Sequence, residues 1–564
     1  MSEDYINLMI KWYEDQYKNS GVPEICGNIR KKSEMVPMRD GVRLHTLIFL
    51  PETEKKTYPV ILMRTCYPAQ DTVYRSHGEQ LARRGFAYVC QYSRGREKSQ
   101  GEWEPNVNER NDGTDTVDWL KDQEWCGEIG YWGYSYSSLA GWAMADAVEG
   151  KVNSMFLAHY GTDRFVSAYE KGEFRHDILT SWSMENTREP IDASYPKYIE
   201  SCRYRPQTEV DIKLWGQRSE SYHNYITNTR ITDPYWQSGW WKELREIPGK
   251  MKISIYMISG WYDHHHGSSM KAWENLNEES KKHSWLEIGG WNHFMEPCLQ
   301  DKKTDHMDPG EIGRMLKWFC TTLIDKKAPE QKINIYRIGE DKWRQIPDWP
   351  VNGGKPERFW LEKTVGAGKK NTGRLSPDCP MKGEAFCYVY DPDDPVETVS
   401  GEGLLKTMWK TGSLLQPEPG YRDDVLSFLS DPLEKDMKIC GKIRIRLFVK
   451  SDCEDTAFTA KVMEVDPEGK AYHIRSSVTT LSHELLETYN PGDEVEVSIE
   501  MWDIAYTVPS GYCIRIDISS SDFPQYNIHS NTKGLWSEQT ETKKAHQTIL
   551  AGGEHPSCVD IPVM

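Results

Sequence analysis

The stretch Ile129-Gly-Tyr-Trp-Gly133-Tyr134-Ser135-Tyr136-Ser137-Ser138 constrains this chain of 564 residues more than any other. An apolar run ends in Gly-Tyr-Ser-Tyr, and small residues then open the helical-looking segment Leu139-Ala-Gly-Trp-Ala-Met-Ala. Such a pattern reads as a strand that stops at a sharp turn, a serine held out on that turn, and a helix that begins at once. Glycine at 133 removes the Cβ that would collide inside the turn. The helix start places backbone N–H groups where a developing negative charge could use them. The match is incomplete, because Ser137 stands where Gly-x-Ser-x-Gly wants its last glycine. A Gly/Ser-rich turn with no chemistry would look much the same, so partners must decide.

A serine activated on a parallel sheet needs an acid and then a base, each just past a later strand. Lys252-Ile-Ser-Ile-Tyr-Met-Ile258 is a β-branched run that breaks at Ser259-Gly260-Trp261-Tyr262-Asp263. Trp285-Leu-Glu-Ile288 breaks at Gly289-Gly290-Trp291-Asn292-His293. Asp263 and His293 thus each lie five residues beyond the last apolar strand residue. Adjacent parallel strands would bring both to the sheet edge that carries Ser135, the edge where open α/β sheets bind ligands.

Gly-Tyr-Ser135-Tyr, Ser-Gly-Trp-Tyr-Asp263 and Gly-Gly-Trp-Asn-His293 resemble the cocaine-esterase-like serine hydrolases. That group also includes X-prolyl dipeptidyl-peptidases and α-amino acid ester hydrolases. The resemblance extends over nearly the whole chain. It includes Arg64-Thr-Cys-Tyr67-Pro, Gly101-Glu-Trp103, Trp343-Arg-Gln-Ile-Pro-Asp-Trp349-Pro, Tyr390-Asp-Pro-Asp-Asp-Pro-Val, Asp455-Thr-Ala-Phe-Thr-Ala-Lys and Ser519-Ser-Ser-Asp522-Phe-Pro. It implies Ser135 as nucleophile, His293 as general base and Asp263 as its orienting acid. The oxyanion hole would use the backbone N–H of Tyr136 and, by resemblance, the hydroxyl of Tyr67. Relatives are often dimers or larger, which implies a homo-oligomer such as a dimer.

The chain is too long for one core, so two or three domains are expected. Residues 5 to 19 suit a short helix, and Val36 to Leu50 alternates around the hairpin signal Asp40-Gly41. From Pro59 to about Met144 strands alternate with helices, which implies a parallel sheet wrapped by helices. Between about 150 and 248 no comparable strand pattern appears, and the segment is crowded with Trp182, Tyr198, Trp215, Tyr222, Tyr225, Trp236 and Trp241. We read it as an inserted helical cap whose aromatics mostly fill its own core, with a few, Trp182 among them, lining a substrate pocket. After about 330 the period becomes 2, as in Lys442-Ile443-Arg-Ile445-Arg-Leu447 and Ile514-Arg-Ile516-Asp-Ile518. The expected fold is therefore an α/β-hydrolase domain (1–148 and 249–332) with a helical cap (149–248) and a C-terminal all-β jelly roll (333–564). The jelly roll itself is what the resemblance implies.

Composition narrows the function classes. A net charge of −17 argues against nucleic-acid partners, which require basic faces. No apolar run of membrane-spanning length occurs, so no membrane partner is expected. The start Met-Ser-Glu-Asp-Tyr-Ile shows no secretory pattern, and thirteen cysteines without regular spacing suit reduced thiols in a cytoplasm. No cofactor and no metal is expected. The run Asp263-His264-His265-His266 lacks an acidic or thiol partner at ligand spacing.

The same run bears on the substrate, a small-molecule ester or amide. In relatives the positions of His265 and His266 help shape the acyl pocket, and members acting on α-amino esters carry carboxylates there. Histidines at both places speak against α-amino esters and for a polar or anionic acyl group. An X-prolyl dipeptidyl-peptidase reading would need an anionic pocket for a free N-terminus, which Glu173, Asp177 or Glu185 of the cap could supply. A third reading, a degenerate hydrolase serving as a scaffold, conflicts with the intact Ser135, Asp263, His293 and Tyr67 set.

Overall fold

The computed structural model describes residues 3–351, 355–363, 371–403, 411–486 and 488–564. Helix α1 (Glu3–Asn19) lies over the first sheet, its Tyr17 hydroxyl 3.1 Å from His77 Nδ1. The sheet opens with the hairpin β1 (Ile29–Pro37) and β2 (Arg43–Pro51), and Gly41 takes a positive φ of 85° in its turn. Then come β3 (Tyr58–Thr65), α2 (Asp71–Arg83), β4 (Ala87–Tyr92), α3 (Glu109–Lys121), β5 (Cys126–Tyr134), α4 (Tyr136–Met144) and β6 (Val152–Ala158).

After β6 the chain leaves the sheet through α5 (Arg164–Ala168), the two-residue strands β7 (Tyr169–Glu170) and β8 (Glu173–Phe174), α6 (His176–Asn186) and further short helices down to Lys250. It returns as β9 (Ser254–Tyr262), β10 (Trp285–Asn292), β11 (Lys332–Arg337) and β12 (Lys342–Ile346). The order across the sheet is β1-β2-β4-β3-β5-β6-β9-β10-β11-β12, parallel from β4 through β11. Helices cover both faces, which is why strands such as Val60-Ile-Leu-Met63 are apolar without alternation. From β3 the chain moves outward to β4 and then crosses back to β5 on the other side. The carboxyl ends of β3 and β5 therefore border the crevice that such a reversal opens.

Two differences from the sequence reading matter for the site. Val152–Ala158, inside the segment read as helical cap, is a strand between β5 and β9. It is only seven residues long and is followed by aromatic-rich helices, so its signal is submerged in theirs. The breaks expected at Ser259 and Gly289 are also absent, because β9 runs to Tyr262 and β10 to Asn292. Their glycines mark close approach rather than strand ends. A Cβ on Gly260 would lie 2.3 Å from the Trp291 carbonyl oxygen, and one on Gly289 would lie 2.4 Å from the Trp291 indole.

The cap aromatics Tyr198, Trp215, Tyr222, Tyr225, Trp236 and Trp241 are buried, several of them in ring contacts with one another. The C-terminal half is all-β, with an eleven-stranded sheet among the described residues. Its strand Arg444–Ser451 alternates inside and outside as expected. Strand Ala471–Thr480 is instead buried along its whole length, because its second face packs on the first domain. There Tyr262 donates its hydroxyl to the His473 carbonyl at 3.3 Å, and Ser477 donates to Glu170 Oε1 at 3.0 Å.

Candidate active site

Four neighbouring parallel strands end at one edge, and the residue immediately after each carries a functional group. Ser135 follows β5, His159 follows β6, Asp263 follows β9 and His293 follows β10. The last register pair of β9 and β10 is Tyr262 with Asn292, so Asp263 and His293 leave the sheet side by side.

Ser135 has φ 54° and ψ −124°, a sparsely populated backbone for a residue with a side chain. Strain of this kind costs on the order of 1–3 kcal/mol and persists only where the surroundings hold it. Here the Ser135 N–H donates to the Ala158 carbonyl at 2.9 Å, and its carbonyl accepts from the Ser138 and Leu139 N–H groups. Gly133 is required, since a Cβ there would stand 2.3 Å from the Ser137 carbonyl oxygen. Ser137 is accommodated in place of the expected glycine, its carbonyl accepting from the Tyr131 hydroxyl at 2.7 Å.

The Ser135 hydroxyl donates to His293 Nε2 at 3.0 Å, and His293 Nδ1–H donates to Asp263 Oδ1 at 3.1 Å. Asp263 Oδ1 also accepts the backbone N–H of His265 at 2.7 Å. Its second oxygen takes a hydrogen bond from His159 Nδ1–H. Burial pushes the Asp263 carboxyl up, but the imidazoles of His293 and His159 outweigh it and hold the group well below the ordinary carboxylate range. Asp263 is therefore an acceptor only, and both histidine Nδ1 atoms must be donors. Burial lowers the His159 value against the pull of Asp263, and its buried Nε2 has no partner among the described residues. Tyr134 fixes the loop from below by donating its hydroxyl to the His293 carbonyl.

Sequence reasoning missed His159. Its signal was available, as the first residue after a parallel strand adjacent to β5 and β9, but only once Val152–Ala158 is recognised as that strand. His159, Asp263 and His293 are also the one group of metal-ligand type among the described residues. They are already committed to one another in the relay.

Tyr136 opens α4, so its N–H is one of the helix-start donors that lack an intrahelical acceptor. Its side chain points elsewhere. The Tyr136 hydroxyl donates to Glu109 Oε1 at 2.8 Å and accepts from Trp103 Nε1 and the Asn106 N–H. Glu109 in turn takes Ser93 Oγ–H at 2.8 Å and Arg64 Nη1 at 2.5 Å, which gives Ser93 a structural role. Tyr67, two residues past β3, accepts the Trp182 indole N–H at 3.1 Å. The Tyr67 proton remains a donor, with the Cys66 thiol as its neighbour in the resting site. Burial, together with the neighbouring Cys66, pushes the Tyr67 phenol well above its ordinary value, so it stays protonated.

Of the histidine run, His264 and His265 face the site. The His264 ring lies 4.1 Å from that of His293, and the His265 ring lies 5.6 Å from His293 and 3.9 Å from Tyr160. Burial and the neighbouring His293 hold both well below the ordinary imidazole value, which keeps them neutral. His266 does not join them, contrary to the sequence expectation. It begins the helix His266–Glu274, bonds Ser259 Oγ at 3.0 Å and packs against Trp261. One residue further along a helix turns the side chain by about 100°, which is enough to carry it out of the pocket wall.

Fold and site together define an α/β-hydrolase-type domain with a serine, an imidazole and a carboxylate in line at its ligand-binding edge. Residues 40–295 match the X-Pro dipeptidyl-peptidase (S15 family), and residues 326–560 match the X-Pro dipeptidyl-peptidase C-terminal non-catalytic domain. The chain is 28% identical over 580 residues to the cocaine esterase of a Rhodococcus species, covering 94% of this chain and 98% of that one. Two solved structures share the fold over 96% of this chain and 98% of theirs. One is an aminopeptidase from a marine sediment Thaumarchaeota archaeon (TM-score 0.80, 19% identity), and the other an α-amino acid ester hydrolase (TM-score 0.78, 20% identity). The chain thus carries one region similar to each domain of the S15-type architecture and is similar to the cocaine esterase along nearly its whole length.

Proposed function

We propose that this protein hydrolyses carboxylic esters through a covalent acyl-enzyme on Ser135. The observation that carries the reading is the continuous hydrogen-bonded line Ser135–His293–Asp263 at the ends of β5, β10 and β9. His293 Nε2 takes the Ser135 proton as Oγ attacks the carbonyl carbon. Asp263 holds the Nδ1–H tautomer and stabilises the imidazolium that forms. The developing oxyanion takes the Tyr136 N–H and the Tyr67 hydroxyl. His293 then protonates the departing alcohol, and water repeats the cycle on the acyl-enzyme.

The peptidase alternative needs an ionised carboxylate for a substrate ammonium, and the cap candidates fit that role poorly. Burial pushes Glu173 up to about 8, so it is largely neutral at physiological pH. Asp177 is engaged by Arg175 at 3.0 and 3.3 Å, and Glu185 lies on the exposed side of α6. We also place the protein in the cytoplasm, a reading favoured by thirteen free cysteines. None of the described helices is long and apolar enough to cross a membrane.

The test uses purified protein with 4-nitrophenyl butyrate, a Gly-Pro nitroanilide and a fluorophosphonate probe. Butyrate turnover and labelling should both vanish in Ser135→Ala while the melting temperature is retained. Wild-type-like hydrolysis by Ser135→Ala removes the serine mechanism, and preferential release of nitroaniline favours the peptidase.

A further inference from the structure

Arg164, the first residue of α5, is 4% exposed. Six other arginines among the described residues are buried: Arg64, Arg84, Arg175, Arg337, Arg475 and Arg515. Each of these has a carboxylate oxygen within 4 Å, from Glu109, Glu24, Asp177, Glu340, Glu402 and Asp517 respectively. Arg164 has none among the described residues. The adjacent Asp163 is turned away, accepting from the Phe165 N–H and pairing with Lys271 at 3.1 Å. The Arg164 guanidinium is surrounded by aromatic groups. It lies 5.0 Å from the Tyr225 ring centroid, 5.6 Å from Trp182 and 5.9 Å from Tyr160, and it bonds the Tyr160 hydroxyl. Its Nε–H is buried and has no acceptor among the described residues.

Burying a charge without a counter-charge is costly, and aromatic faces and the Tyr160 and Tyr225 phenols compensate it only in part. The position of the cost is informative. Trp182 is the residue that bonds the Tyr67 hydroxyl, and Tyr160 lies against His265, which lies against His293. Arg164 is thus one ring removed from the candidate oxyanion donor and two from the candidate base. The histidines between it and the relay are neutral, so they neither replace nor cancel its charge.

We propose that Arg164 is a specificity residue whose missing counter-charge is supplied by the substrate: the preferred esters carry a carboxylate, which the guanidinium binds. The proposal rests on the ester reading above. It also agrees with the poor fit of Glu173, Asp177 and Glu185 to an ammonium, since a buried cation beside the relay repels α-amino esters and free peptide N-termini.

The experiment compares kcat/KM within matched sets. For a carboxylate on the acyl side the set is the 4-nitrophenyl esters of hexanoate, hydrogen adipate and 6-aminohexanoate. For one on the alcohol side it is phenyl butyrate against 4-carboxyphenyl butyrate. The wild-type protein is expected to favour the carboxylate member of one set by tenfold or more, with the ammonium ester slowest. In Arg164→Met the ratio of carboxylate to neutral ester should fall about 10- to 100-fold, the range for loss of a hydrogen bond to a charged group. Arg164→Lys should retain part of it, as a point charge without the planar fork. If wild type shows no carboxylate preference in either set, or if Arg164→Met slows both members equally, the proposal fails while neutral-ester turnover and Ser135 labelling keep the ester reading. If no ester is cleaved and Ser135 is not labelled, both fall together. The wild-type comparison decides the matter even if Arg164→Met does not fold.

Discussion

Tyr67→Phe isolates one part of the proposed mechanism, a side-chain donor in the oxyanion hole. The substitution removes one oxygen and keeps the ring, including its edge contact with Tyr136 at 6.1 Å. Two magnitudes compete. If the hydroxyl only completes packing, the loss is that of one neutral hydrogen bond from Trp182, about 0.5–1.5 kcal/mol and mostly in stability. If it donates to the oxyanion, the loss is about 2.7–4 kcal/mol of transition-state stabilisation, a 10²–10³-fold fall in kcat. The second value is expected because the Trp182 N–H occupies the oxygen as acceptor, and the phenolic proton faces only the weakly accepting Cys66 thiol, which an oxyanion displaces. KM should change little, since the interaction forms as the carbonyl becomes tetrahedral. Two controls bracket the result. Trp182→Phe keeps the donor and an aromatic face toward Arg164 but loses the polarising N–H, so about a fivefold loss is expected on a neutral ester. Tyr136→Phe keeps the backbone N–H and disturbs only Glu109, Trp103 and Asn106, so it should lower the melting temperature more than kcat. The assay is steady-state hydrolysis of 4-nitrophenyl butyrate with thermal melts alongside. Tyr67→Phe within threefold of wild type refutes the oxyanion role.

Three further outcomes are expected. His159→Met removes the donor from Asp263 Oδ2 and should lower kcat about tenfold, whereas His159→Gln, which can still donate, should recover most of it; equal losses would make His159 mere packing. Gly133→Ala drives a Cβ into the Ser137 carbonyl at 2.3 Å, and fluorophosphonate labelling should disappear together with a fall in melting temperature. Glu311 is buried beside the Trp132 indole N–H, with no acidic or basic partner for Oε2 among the described residues, and burial raises its carboxyl to about 8. A raised acid stabilises fully below its unfolded value of about 4.3 and loses that contribution as pH rises toward 8, at about 1.4 kcal/mol per unit. Glu311→Gln should therefore gain melting temperature relative to wild type between pH 5 and 8. A pH-independent difference would show that this carboxyl is ionised in the fold.

What could be read in advance and what could not divides along a physical line. Ser135, Asp263 and His293 were legible because each depends on a local pattern, an apolar run that stops and a polar residue just beyond it. The same periodicity gave the α/β order of the first half and the alternating strands of the second. Relations that exist only after folding were not legible. His159 and Asp263 are 104 residues apart and meet because β6 lies next to β9. Ser93 gained its role from Glu109, which no spacing rule connects to it. His265 and His266 look equivalent in sequence, yet one turns toward Tyr160 and the other toward Trp261.

Arg164 is the sharpest case. Its neighbour Asp163 suggests an ion pair that folding does not make, because the aspartate caps α5 and pairs with Lys271 instead. An absent partner has no sequence signature, and it becomes visible only when every other buried arginine is seen to have one. The candidate catalytic groups sit where the chain's local grammar places them, at strand ends on one sheet edge. Selectivity arises from the residual imbalance of charge among side chains brought in from α5, α6 and the turn after β9. A chain can therefore keep its relay intact while the buried cation beside it decides which esters reach the serine.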